Sequence, residues 1–412
     1  MTNAAESMFQ SPELRCLAEL IRPAEDATPK KPPRGFASLD WPTFAELAAY
    51  HRVEALVATS ISNHKDWDMP EDWRRHFLQR QKVLARNTLR NAANTTRLCR
   101  FLTDSDVPFL LIKGVAVSQK FYADSEIRQA IDVDIWISPN DVSMVIERLK
   151  VDGYEIVHPD FDLTPHRLRA LQRMVNEITI VHRDHRVSLD LHWRLNVNPY
   201  FMDWAFDDVY ARSERLALNG LSVPVLSELD QLIYFHAHGA KHAWFRLKWL
   251  ADLYRIDRLV SAETKAKLLT AAKTNKFEIM VSSGDWLLSS ASGKTEPNST
   301  VPVYIQRYIA KQIGSKISYN SLTVSNVSKV FAEFRYKLGL KRDLRYKLST
   351  VLHYCLNMND IPLLNLSERF FPVYAITGPI FGVARAIGRS LDALLSRPQN
   401  TPQPSLTDNK ED

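Results

Sequence analysis

Apolar positions recur at helical spacing through the first hundred residues and then change period. Asp68 reads as an N-cap with Pro70 in the first turn and Glu71 and Asp72 behind it, opening a helix that runs to about residue 104. At 105 the texture shifts. VPFLLIK is a short apolar strand run, followed by a glycine and a helical VAVSQKFY segment. AIDVDIWI alternates strictly, SPNDVSMVIERLK is helical with Ser138 and Pro139 at its start, and NEITIVHRDHRVSLDLHW reads as two strands joined by a polar turn. That order predicts an α+β fold: a small mixed sheet with helices on one side, flanked by N-terminal and C-terminal helical segments.

Helical spacing returns at Ser227, where SELD resembles a capping box opening a helix to about His242, and continues over roughly 244–290 and 301–369. The divisions that follow are a helical region over 1–104 with a Pro- and Lys-rich connector at 23–35, an α/β core over 105–226, a helical region over 227–369, and an apolar segment with a polar tail over 370–412. The tail, 396–412, has the composition of a disordered segment.

In a strand, residues two apart share a face. Asp132, Asp134 and Trp136 therefore point one way, while Ile131, Val133, Ile135 and Ile137 point to the core. Two carboxylates side by side are unfavourable unless a cation offsets them, and hard divalent cations such as Mg²⁺ choose carboxylate oxygens. VSLDLHW repeats the arrangement, with Leu189, Leu191 and Trp193 on one face and Ser188, Asp190 and His192 on the other. If the two strands are neighbours, Asp190 supplies a third carboxylate, and such a cluster can hold metal that neutralises a triphosphate. Upstream, LLIKGVAVSQ places Lys113 and Gly114 at a strand-to-helix turn, where a glycine lets a phosphate approach the backbone. Arg128, four residues before Asp132, offers a fork of donors to phosphate oxygens.

LIKG, followed by YADSEIRQAIDVDIWI and LDLHWRL, resembles the uncharacterised nucleotidyltransferase family of bacteria, a branch of the polymerase-beta-like superfamily. The resemblance covers about residues 85–260, since HAHGAKHAWFRLKWLADLYRI is similar to the family's helical segment after the core. It implies that Asp132 and Asp134 bind Mg²⁺ or Mn²⁺, and that Asp190 completes the site or acts as general base. Lys113, Gly114 and Arg128 would then lie near the phosphates of an NTP, with ATP the expected donor, and Lys241 and Lys248 would reach the triphosphate across a cleft. One departure is Val115, where the superfamily often has a serine directly after the glycine; here Ser118 follows a turn later. The implied reaction moves a nucleoside monophosphate to an unidentified acceptor, which is a small molecule, saccharide or protein, and releases pyrophosphate. The other class of reading is a catalytically inactive nucleotide- or partner-binding protein on the same fold, for example in surface-polysaccharide biosynthesis or defence.

Composition narrows this only a little. Lys plus Arg number 53 against 47 Asp plus Glu, a net +6 that mildly favours anionic partners and is too small to indicate nucleic acid. Cys16, Cys99 and Cys355 are too scattered for a disulfide framework or a CxxC site, and the N-terminus lacks a basic stretch followed by an apolar one, so a cytoplasmic location is expected. FFPVYAITGPIFGVA at 370–384 falls short of the ~20 residues a spanning helix needs. Burial in the core is the plain expectation for it, and peripheral membrane contact the other one.

Weaker patterns read as structure. His238 and His242, four apart on a helix, have no third ligand nearby to complete a zinc site. SASGKTE at 290–296 imitates the end of a P-loop but has Leu288 where the earlier glycine is required, so a surface loop is expected. RYKLGLKRDLRYK at 335–347 reads as a solvated helix face.

Overall fold

The computed structural model describes residues 8–9, 11–23, 31–122, 127–184, 188–292, 300–314 and 327–395. The tail 396–412, most of the 23–35 connector and the end of SASGKTE lie outside them. Seven strands form one mixed sheet in the order β3-β4-β5-β2-β1-β7-β6. These are β1 (Phe109–Leu111), β2 (Val133–Ile137), β3 (Tyr154–His158), β4 (Glu177–His182), β5 (Ser188–His192), β6 (Glu214–Leu218) and β7 (Leu221–Val225). β2 runs parallel to β5 and antiparallel to β1, so the aspartate-bearing strand lies in the interior of the sheet.

Every residue of β2 is buried, and the reason is that both faces of the sheet are covered. Val133, Ile135 and Ile137 share one core with Phe109, Leu111, Leu189 and Leu191, roofed by the helices Val142–Val151 and Pro165–Met174. Leu110, Ile112 and Trp136 belong to the other core, against the helix Glu228–Lys241 and the N-terminal helices. The expected one-sided sheet is therefore corrected to a sheet with helices on both faces, as an interior strand with apolar residues on both sides requires. Ile131 falls outside the strand and is exposed.

The helix Glu71–Asp104 links the two cores, burying Phe77 in one near its start and Leu98 and Leu102 in the other near its end. It begins one residue after Pro70, whose extended ψ of 133° ends the preceding chain, so Asp68 is not its cap. Ser227, by contrast, does cap Glu228–Lys241, accepting from the Asp230 amide at 3.2 Å.

Two more expectations change. The apolar C-terminal segment forms a helix, Phe371–Leu395, that continues through Pro379; Tyr374 is buried, but Ile376, Ile380 and Val383 are more than 60% exposed. No described helix is long and apolar enough to cross a membrane. The basic run at 335–347 does keep Arg335, Arg342 and Arg345 exposed, but Tyr336, Leu340, Lys341 and Tyr346 are buried on its other side. Lys341 donates to the Tyr200 carbonyl at 2.7 Å and Tyr336 to that of Ala240 at 2.7 Å.

Candidate active site

Asp134 lies directly opposite Asp190 in the parallel β2–β5 register, so the two carboxylates share a face of the sheet. Asp134 is only 2% exposed and is met by two cations: Lys113 Nζ at 2.7 Å and His192 Nε2 at 3.2 Å from its Oδ1. The other nitrogen of His192, Nδ1, is 2.8 Å from Glu177 Oε2, on the register partner of His192 in β4. Asn176 supports that carboxylate through its side-chain amide.

Burial works against every charge in this group, yet the pairing prevails. Burial alone would raise Asp134, but Lys113 and His192 pull it below the usual carboxylate range. His192 would be lowered by burial and is instead lifted to about 9 by Glu177 and Asp134, so it is cationic at neutral pH. Lys113, also opposed by burial, is held well above its ordinary value by Asp134, Tyr234 and Asp132. Asp190 is the exception. Burial and the charge of Asp134 push it up to about 6, although Thr179 donates to its Oδ1 at 2.8 Å. The cluster thus contains two firmly ionised carboxylates, Asp134 and Glu177, and beside them one poised near neutrality, a separation that suits charge binding and proton acceptance respectively.

The Lys113–Gly114 turn is held from below. Gly114 has φ +61° and ψ −121°, a conformation that favours glycine, and a Cβ there would come 3.2 Å from the Asp132 carbonyl oxygen. Arg128, expected at the phosphates, is buried and turned inward. It donates to both Asp252 oxygens at 2.7 and 3.0 Å and to the Gly114 carbonyl at 2.9 Å. Ser118 also donates to that carbonyl, at 3.2 Å. Both side chains therefore shape the turn. Asp132 is half-buried just before β2, and Asn91 donates to its carbonyl at 3.4 Å.

Lys241 is close enough to Glu177, Lys113 and Asp134 for their charges to act on it. Lys248, lowered to about 7 chiefly by burial and by Arg128, is near Asp132 and Arg52. His238 and His242 pack their rings on each other at 4.8 Å and on Trp249 at 5.4 and 4.9 Å, as structural histidines. A polar cavity of about 360 Å³ adjoins the carboxylate edge, lined among others by Arg52, Arg90, Asn87, Gln129 and Ile131. Gln129 is buried there with its Nε2 lacking a protein partner, a donor available to a ligand.

The donors at this edge, the oxygens of Asp132, Asp134 and Asp190, suit a hard divalent cation, which would also relieve the repulsion that raises Asp190. Among the described residues no group of three or more His, Cys, Asp or Glu side chains is gathered into a ready-made metal cluster, and Asp134 is paired with Lys113 and His192. The sequence placed His192 on the face of Asp190 without giving it a role, and Glu177 was missed. His192 sits two residues after Asp190 and hence on the same face, a signal that period-two reading does carry.

The mixed sheet thus carries two register-matched aspartates beside a lysine and a glycine turn. The family model described as "Uncharacterised nucleotidyltransferase" matches residues 37–289, and the chain belongs to that family of enzymes. No curated protein matches the chain.

Proposed function

We propose that the protein transfers a nucleoside monophosphate from an NTP, with ATP as donor, to an acceptor hydroxyl in a divalent-metal-dependent reaction that releases pyrophosphate. The observation that carries this reading is the direct register of Asp134 with Asp190 beside Lys113. The glycine turn, the Asp-x-Asp strand and the acid on the neighbouring strand support placing the chain in the polymerase-beta-like superfamily, working in a bacterial cytoplasm.

Asp132 and Asp134 would hold Mg²⁺ or Mn²⁺, which when bound would neutralise the triphosphate and favour an ionised nucleophile, and of the two roles open to Asp190, third ligand or general base, the second is assigned to it. The acceptor oxygen bonds to the α-phosphorus as the bond from that phosphorus to the pyrophosphate oxygen breaks. Asp190, poised near neutrality, receives the hydroxyl proton. Lys113 stabilises the negative charge on the phosphates, exchanging Asp134 for phosphate oxygens. Arg128 and Ser118 hold the Gly114 turn open to them. The polar cavity with Arg52, Arg90 and the free Gln129 amide takes the nucleotide.

The test is pyrophosphate release from each of the four NTPs with Mg²⁺ or Mn²⁺ and a panel of hydroxyl acceptors. Release that requires the metal and disappears in Asp132→Asn supports the reading, and full activity in that variant overturns it. The ion pair between Lys113 and Asp134 favours a second reading, a nucleotide-binding protein without turnover. Tight NTP binding with no release under any acceptor would establish it.

A further inference from the structure

We infer that a second cavity, of about 370 Å³, is the acceptor pocket, and that it takes a small molecule with an apolar body and one anionic group. The inference rests on the nucleotidyl-transfer reading above. The cavity lies between the chain that follows β5, at Asn196–Phe201, and the helices Val327–Gly339 and Leu344–Cys355. It shares no lining residue with the polar cavity beside Asp132.

Its chemistry is specific in kind. Val197, Phe201, Leu340 and Tyr346 give it an apolar wall. The polar side chain at its floor, Asn198, is already committed. Its Nδ2 donates to the Tyr346 carbonyl and to Thr350 Oγ1 at 2.9 and 2.8 Å, and its Oδ1 accepts from the Tyr200 amide at 3.0 Å. These bonds make the wall preformed, as small-molecule sites generally are. Two lysines line it, Lys337 and Lys241. Lys337 is ion-paired with Glu333 at 2.6 Å. Lys241 forms no ion pair among the described residues, so its ammonium is the cation left for an anion on the ligand.

Position argues for the acceptor rather than the nucleotide. The lining begins at Asn196, four residues after the end of β5, so a molecule held there stands by the strand that carries Asp190 and His192. The wall formed by residues 337–354 lies beyond the segment matched by the family model, 37–289, which carries what the family has in common. The nucleotide is the common substrate; a wall outside that segment fits the partner particular to this chain.

The probe is 1-anilinonaphthalene-8-sulfonate, a fused-ring body with a single anion whose fluorescence rises in apolar surroundings. The full chain is expected to bind one equivalent saturably. Val197→Trp and Leu340→Trp, which fill the cavity from opposite walls, should each weaken binding at least about tenfold, and Lys241→Gln by about tenfold, as expected for losing one buried charge contact. Folding of each variant is checked by its thermal transition. N-phenyl-1-naphthylamine, the same body without the sulfonate, should be indifferent to Lys241→Gln, and saturating MgATP should leave the probe bound. Displacement of the probe by MgATP overturns the inference by making the cavity the nucleotide's own. Absence of saturable binding, or binding that neither tryptophan weakens, overturns it as well. Wild-type protein that fails to bind MgATP while the probe result holds would instead defeat the nucleotidyl-transfer reading, so the two failures are separable.

Discussion

Asp134 and Asp190 stand opposite each other in one parallel register, but only Asp134 is neutralised by protein cations. The two aspartates should therefore respond differently to the same substitution. Asp134→Asn leaves Lys113 without its counter-charge and His192 with Glu177 alone, and is expected to cost about 3–5 kcal/mol of stability. Asp190→Asn keeps a hydrogen-bonding side chain beside Thr179 and removes a carboxylate that is partly protonated near pH 6, so its thermal transition should stay within a few degrees of wild type. Its pyrophosphate release should nonetheless fall by roughly 10²–10⁴-fold, the range of a lost general base. Chemical denaturation and the release assay on both variants check this. Equal stability losses would show that the asymmetry is not real.

Arg128 and Asp252 form a fully buried bidentate pair. Arg128→Ala should destabilise by about 3–5 kcal/mol, because Asp252 and the Tyr122 hydroxyl that donates to it at 2.6 Å lose the charge they face. Adding Asp252→Asn should recover part of the loss. A different result, full stability with a selective rise in the NTP dissociation constant, would mean that Arg128 leaves Asp252 to grip phosphate.

Much of this was legible in the sequence where a single period decides the structure. Alternation in AIDVDIWI and VSLDLHW located both aspartate strands and their faces, and SELD located a cap. What stayed hidden depended on the partner rather than the residue. Nothing local to a strand reveals what covers its second face: Trp136 is buried edge-on against Phe206, seventy residues further along the chain. Arg128 shows the same limit, since its commitment to Asp252 spans 124 residues. β6 and β7 were missed although Asn219 and Gly220, both at positive φ, are a strong hairpin turn signal.

Gly114 tests how the turn and the metal edge are coupled. At φ +61° an alanine is strained, and its Cβ would press on the Asp132 carbonyl oxygen. Gly114→Ala is expected to cost about 1–3 kcal/mol and to move Asp132. Its Mg²⁺ requirement for turnover should rise alongside the loss of kcat. A variant with lower stability but an unchanged metal requirement would show that the turn does not position Asp132.

Acid sensitivity should come in part from buried histidines that have no role in the reaction. His51 and His236 are buried, and burial lowers them to about 3 and about 4 respectively. In the unfolded chain both take up protons near 6.5. Between those values the unfolded state binds more protons, so stability rises with pH; it is fully present above 6.5 and is lost as pH falls toward 4. Each histidine should contribute roughly 3 kcal/mol of that loss by pH 4. His236 has a specific reason to stay neutral. Its Nδ1 has no protein partner, and Gly284 packs so closely that a Cβ there would lie 2.5 Å from it. Urea denaturation at pH 7, 6, 5 and 4.5 should show the decline begin just below 6.5, and His236→Gln should reduce its slope by one histidine's share, the rest coming from His51, His238 and His242, which burial also lowers. A stability curve flat from pH 7 to 5 would mean that one or both rings find a counter-charge, and the unchanged slope of the His236→Gln protein would identify His236 as the one that does.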